Sequence, residues 1–130
     1  MIKLKYFVFI ITLLFIRCHY YSDKLVVKNN TGETICYETL TKTKQGIYSQ
    51  NSGGGTIEPN NSSSPPVRNS IEASIQENND SLYVVFNNCK DLEYVNSNLN
   101  TIIASKKYKF QKYSEKDLAE INWTVEYNGK

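Results

Sequence analysis

The sequence predicts an α+β fold: mainly antiparallel β-sheet or a small β-sandwich, with two or three short helices. Three observations lead there. β-Branched and aromatic runs recur at 24–28, 34–40, 82–86, 108–113 and 123–127. Apolar residues fall at helical spacing in 67–76 and again after 114, and Asn, Gly, Ser and Pro cluster at the joints.

The first run, KLVVK (24–28), and the second, TICYETL (34–40), flank Asn29, Asn30, Thr31 and Gly32. These residues tolerate positive φ, so the pair reads as a hairpin. Alternation in the second run sets Ile35, Tyr37 and Thr39 against Thr34, Cys36, Glu38 and Leu40, and neither face is cleanly polar. Residues 44–66 then change character. Gly53, Gly54 and Gly55, a serine run at 62–64 and the pair Pro65-Pro66 predict a flexible loop, with Ile57, Glu58 and Pro59 as a short edge strand. The glycine run lacks the following Lys-Ser/Thr and the strand-to-helix context of a phosphate cradle.

Val67, Ile71 and Ile75 form a stripe at i, i+4 and i+8, so a helix is expected over 67–76, with Asn69 or Ser70 as N-cap and the polar run 78–81 as its stop. The run LYVVF (82–86) is continuously apolar, as a central strand covered on both faces requires. Residues 91–104 carry Leu92, Val95, Leu99, Ile102 and Ile103 at helix-like spacing broken by asparagines, which predicts two short helical pieces, the second around 99–104. YKFQKY (108–113) alternates aromatic and polar residues, a half-buried strand. Ser114 with Asp117 in the N3 place is a capping box opening a helix over 115–121, and the closing WTVEY puts Trp123, Val125 and Tyr127 on one face.

Ahead of this domain, Lys3 and Lys5 precede an apolar run from Tyr6 to Ile16, followed by Arg17 and Cys18. That run makes about 17 Å of helix against the roughly 30 Å of a bilayer core, so it reads as a secretory signal and not a span. Its end allows three outcomes. In the first, Cys18 is the lipidated first residue of a bacterial lipoprotein, although Phe15, Ile16 and Arg17 depart from the small residues usual before such a cysteine. In the second the signal is cleaved ordinarily, although no A-x-A-like site appears near 18–22, and in the third it stays as an uncleaved anchor. The first gives a signal peptide at 1–17, a lipid-anchored tether at 18–23 and a single domain at 24–130, placed on the membrane of the cell envelope. The second gives a periplasmic or secreted protein.

Without residues 1–17, which hold Lys3, Lys5 and Arg17 and no acid, the formal charge falls from +2 to −1. A near-neutral domain offers no electrostatic footprint for nucleic acid. Cys36 and Cys89 are candidates for a disulfide in an oxidising compartment; two separate thiols are the alternative, because pairing needs a proximity that sequence does not show. His19 is the single histidine and no C-x-x-C occurs, so neither a metal nor a cofactor is expected.

The segment from LYVVF through Asp91-Leu92 to KYKFQKYSEKDLAEINWTVEY resembles a group of short uncharacterised bacterial lipoproteins that end in a Tyr-containing strand, a short helix and an Asn-Trp-Thr strand. Tyr113, Asp117, Leu118, Asn122, Trp123, Thr124 and Tyr127 carry the resemblance, and Ile57, Pro59 and 62–64 match a loop before the first helix. The resemblance implies a secreted β-rich domain and supplies no catalytic residues.

The residues themselves supply none either. His19 lies in the tether, the acids Glu38, Glu58, Asp91, Glu93 and Asp117 are scattered, and Asp117 is accounted for by its cap, so no enzyme is expected. Tyr83, Phe86, Tyr108, Phe110 and Trp123 fall on strand faces and read as core, whereas Tyr20, Tyr21 and Tyr48 are the better candidates for exposed contact. Asp80-Ser81-Leu82 matches a pattern that some bacteria O-glycosylate, which makes Ser81 a candidate acceptor if its turn is exposed. The expected function is a non-enzymatic envelope lipoprotein presenting a small domain for protein or glycan contact, with an accessory subunit of an envelope complex as the alternative. Oligomeric state is not readable from the sequence.

Overall fold

The computed structural model describes residues 21–90, 100–101 and 109–129. The leader, Cys18, His19, Tyr20 and Tyr108 lie outside the described residues, as do the helical pieces expected in 91–104 apart from a helical Asn100 and Thr101. In chain order the elements are β1 (Tyr21–Ser22), β2 (Val26–Asn29), β3 (Ile35–Lys42), β4 (Tyr48–Ile57), β5 (Ser62–Ser63), β6 (Pro66–Val67), α1 (Ile71–Asn78), β7 (Leu82–Asn87), β8 (Lys109–Tyr113), α2 (Glu115–Glu120) and β9 (Thr124–Tyr127). The fold is α+β and strand-rich, with an antiparallel sheet in the order β4-β3-β7-β8, a smaller one in the order β5-β2-β9, and the short pair β1-β6.

The run LYVVF earns its central place: all six residues of β7 are buried, with β3 on one side and β8 on the other. Its inner face, Leu82, Val84 and Phe86, joins Ile35 and Tyr37 of β3. This layer packs on Val27 and Val125 of the smaller sheet, Ile71 and Ile75 of α1, and Leu118 of α2. Each such aliphatic side chain contributes about 1.5–3 kcal/mol by leaving water. The other face of the same strands is also buried, at Cys36, Leu40, Tyr83 and Val85. Burial on both sides explains why alternation in 34–40 shows no polar face.

Five expectations need correction. The runs 24–28 and 34–40 do not form a hairpin: β2 pairs with β5 and, in parallel, with β9, while β3 belongs to the other sheet. The cause is Asn29, whose fully buried side chain donates to the carbonyls of Glu33 (2.7 Å), Ile57 and Glu58 and accepts from the Thr31 amide (3.0 Å). These bonds turn the chain from one sheet to the other, where a two-strand turn would have left the amide in solvent.

The flexible loop over 44–66 is also absent, because ten of its residues form β4 against β3. Glycine permits a close approach here that another residue would block. A Cβ on Gly54 would strike the Tyr37 carbonyl and the Glu38 carboxyl, and one on Gly53, at φ +74°, would lie 2.7 Å from the Pro66 carbonyl. The register shifts between Thr39 and Thr41, a bulge that absorbs extra residues of β4. Ile57 closes this strand, and Glu58 and Pro59 lie beyond it, not in an edge strand of their own.

Val67 lies in β6, so α1 begins at Ile71 and not at 67. Ser70 is its N-cap, accepting from the Ala73 amide (3.1 Å), and Asn79 closes it at φ 48°. The end of the expected tether is part of the fold: Tyr21 and Ser22 pair with β6, and Asp23 is buried. Asp23 Oδ1 accepts from the Leu25 amide (2.9 Å) and Oδ2 from the Ile71 amide (3.0 Å), which satisfies a second orphan N–H of α1. The second helix follows expectation, its box closed by Ser114 and Asp117 in both directions. Trp123 is half-buried against the core with φ +57°, and its carbonyl accepts from the Val26 amide (2.8 Å) as β9 sets off beside β2.

Candidate functional site

At the end of the two sheets the corner after β2, the end of β7 and the residues after β9 converge on an open groove of about 700 Å³. Its lining includes the side chains of Asn30, Glu33, Asn87, Asn88, Tyr127 and Asn128, and Glu33 is the one charged lining residue among the described residues. The amides are held in place. Asn30 Nδ2 donates to Asn128 Oδ1 (2.9 Å) and Glu126 Oε2 (3.2 Å), Asn87 Oδ1 accepts from the Cys89 amide (2.8 Å), and Asn88 Oδ1 accepts from the Lys90 amide (3.2 Å). Tyr127 stacks on Phe86 with centroids 4.6 Å apart, which fixes the ring at the groove wall. Asn87 is 8% exposed, and its enclosed Nδ2 has no acceptor among the described residues.

The disulfide sits beside this groove. Cys36 of β3 is joined to Cys89, and Cys36 is also the register partner of Asn87. Cys89 takes φ +65°, so the chain leaves β7 through a tight turn held by both the Asn87 cap and the sulfur bridge.

A second groove of about 700 Å³ lies between the end of α1 and the start of α2, lined by Ile75, Gln76, Asp80, Ser114, Glu115 and Lys116. Asp80 Oδ1 accepts from the Tyr83 hydroxyl (3.1 Å), while its enclosed Oδ2 has no partner among the described residues. Burial, with the Asp80 charge beside it, pushes the Tyr83 hydroxyl up to about 12. Gln76 and Glu115 bridge the helices at 2.9 Å.

On the outer face of the larger sheet, Lys42 lies 5.5 Å from the Tyr48 ring, Tyr48 meets Tyr83 edge-on at 5.0 Å, and Lys112 lies 5.7 Å from Tyr83. Glu38 is half-buried on that face, and desolvation raises its carboxyl above the ordinary glutamate range. Burial likewise raises the Tyr37 hydroxyl, against a hydrogen bond to Ser63 that lowers it.

Of the candidates read from sequence, Cys36 and Cys89 are brought together, and Cys18 lies outside the described residues. Ser81 is 8% exposed, which corrects the open turn expected of it: its backbone enters β7 directly and the side chain is covered. Tyr21 is exposed, while Tyr48 is half-buried in its ring contact. Among the described residues no group of three His, Cys, Asp or Glu comes together as a metal site, and no helix is long and apolar enough to cross a membrane. The groove residues escaped sequence reasoning. Asn29 and Asn30 read only as turn formers, Asn87 and Asn88 carry no local signal, and nothing in the sequence shows that the chain brings them to one end of the fold. Comparison with family models, with curated proteins and with solved structures finds no match to this chain.

Proposed function

We propose that the chain is a non-enzymatic lipoprotein of the cell envelope, anchored through lipid on Cys18 and presenting its small domain for contact with a protein or glycan. The observation that carries this is the leader: two lysines, an apolar run too short to span, then Cys18 three residues ahead of the first strand at Tyr21. The disulfide between Cys36 and Cys89 supports export, since such bonds persist in oxidising compartments. The resemblance read from the sequence in 82–127 accords with it.

Cys18 and Tyr21 are at most about 11 Å apart along an extended chain, so a lipid on Cys18 holds the domain against the membrane surface. β2 runs from Val26 to Asn29, and the groove begins just beyond its end, at Asn30. The test is fractionation of cells expressing the full chain and its Cys18→Ala variant. Membrane association of the first and its loss in the second are expected; unchanged partition of the variant would overturn lipid anchoring.

A further inference from the structure

We propose that the groove between the corner after β2, the end of β7 and the tail of β9 is a binding site for a neutral carbohydrate. This rests on the reading of the domain as an envelope contact module and names the ligand class and place. Three observations carry it.

First, the polar atoms are arranged and uncommitted. Asn30, Asn88 and Asn128 are each oriented through one amide atom, by the bonds to Asn128 and Glu126, to the Lys90 amide and from Asn30. The other amide atoms, Asn30 Oδ1, Asn88 Nδ2 and Asn128 Nδ2, have no partner among the described residues. A side-chain amide offers a donor and an acceptor a short distance apart, the complement of neighbouring sugar hydroxyls. Because their rotamers are already fixed, little conformational entropy is lost on binding.

Second, the charge is wrong for other ligands. Among the described residues the lining contains no lysine or arginine, and Glu33 disfavours phosphate, sulfate or an acidic peptide. The one aliphatic residue of that described lining, Ile35, is 6% exposed and offers little apolar surface to a peptide anchor.

Third, Tyr127 is an aromatic wall held rigid by its stack on Phe86, suited to the C–H face of a sugar ring. The enclosed Nδ2 of the lining residue Asn87 adds a donor unmet among the described residues, which a shift of that side chain toward a bound hydroxyl would satisfy.

The experiment is a titration of the 15N-labelled full chain, in a detergent without a sugar headgroup, with maltotriose, cellotriose and tri-N-acetylchitotriose, each to about 10 mM, the weak range usual for single-site contacts. The expected result is saturable amide shifts at Asn30, Asn88, Tyr127 and Asn128 with at least one sugar. Asn88→Ala and Asn128→Ala, both at exposed positions, should each weaken that sugar about fivefold, the loss of one hydrogen bond, with β7 resonances unchanged. No shift with any of the three sugars overturns the proposal. So do shifts that cluster elsewhere, such as at Tyr48 and Tyr83, a response indifferent to both variants, or a response of these residues to a neutral peptide mixture alone. The titration does not depend on lipid, so failure of anchoring at Cys18 and failure of the groove are read separately.

Discussion

Asp23 does more for this fold than its place in a polar stretch announces. Its two carboxylate oxygens satisfy the Leu25 and Ile71 amides, and it is 7% exposed. Asp23→Ala leaves two buried donors unmet, so urea unfolding should show a loss of about 2–4 kcal/mol. Glu38 works in the opposite sense. Burial raises its carboxyl in the folded state, so the native chain holds the proton more tightly than the unfolded one. Stability therefore falls as pH rises from the ordinary glutamate range through the raised folded value. Glu38→Gln should flatten the fall of the urea midpoint as pH rises above the ordinary glutamate range, and raise the midpoint at neutral pH. Asp117 is lowered by its bonds to Ser114 and acts below that window, where acid removes its contribution. The capping box was legible because its spacing is local. Asp23 was not, because its partner Ile71 stands 48 residues away.

Among the elements, β7 and α2 were readable and β4 was not, for one physical reason. A continuous apolar run and a Ser-x-x-Asp box declare themselves within a few residues. Glycines 53–55 instead read as loop, and only the approach of β3 shows why they are small. Gly54→Ala sets a methyl against the Tyr37 carbonyl and should cost about 1–3 kcal/mol, measured by thermal unfolding. Ser114→Ala opens the box of α2 and should cost about 1 kcal/mol in the same assay. The false hairpin has a related origin. Asn29 is a sound turn residue by type, but its side chain is buried and bridges three carbonyls instead of sitting at a turn tip.

At the scale of the whole molecule, two long-range links close the domain. The last strand lies parallel to β2, with Val26 opposite Thr124 and Asn29 opposite Tyr127, so the C-terminal strand joins the smaller sheet beside an early one. The disulfide closes a separation of 53 residues, and its removal in a Cys36→Ala, Cys89→Ala double variant should cost about 2–4 kcal/mol in urea unfolding. The parallel pairing of β2 with β9 could not be read from sequence, since both runs show only that they are strands. The groove inherits that opacity, because its walls come from three places along the chain. The compartment ties these links to function, and one measurement reaches it most directly: the intact mass of the full chain isolated from membranes and alkylated without reductant. The expected species begins at Cys18, carries the added mass of two or three acyl chains, and takes up no alkylating group on Cys36 or Cys89. A species that retains residues 1–17, or that lacks lipid and is alkylated at both cysteines, would contradict an exported, lipid-anchored domain.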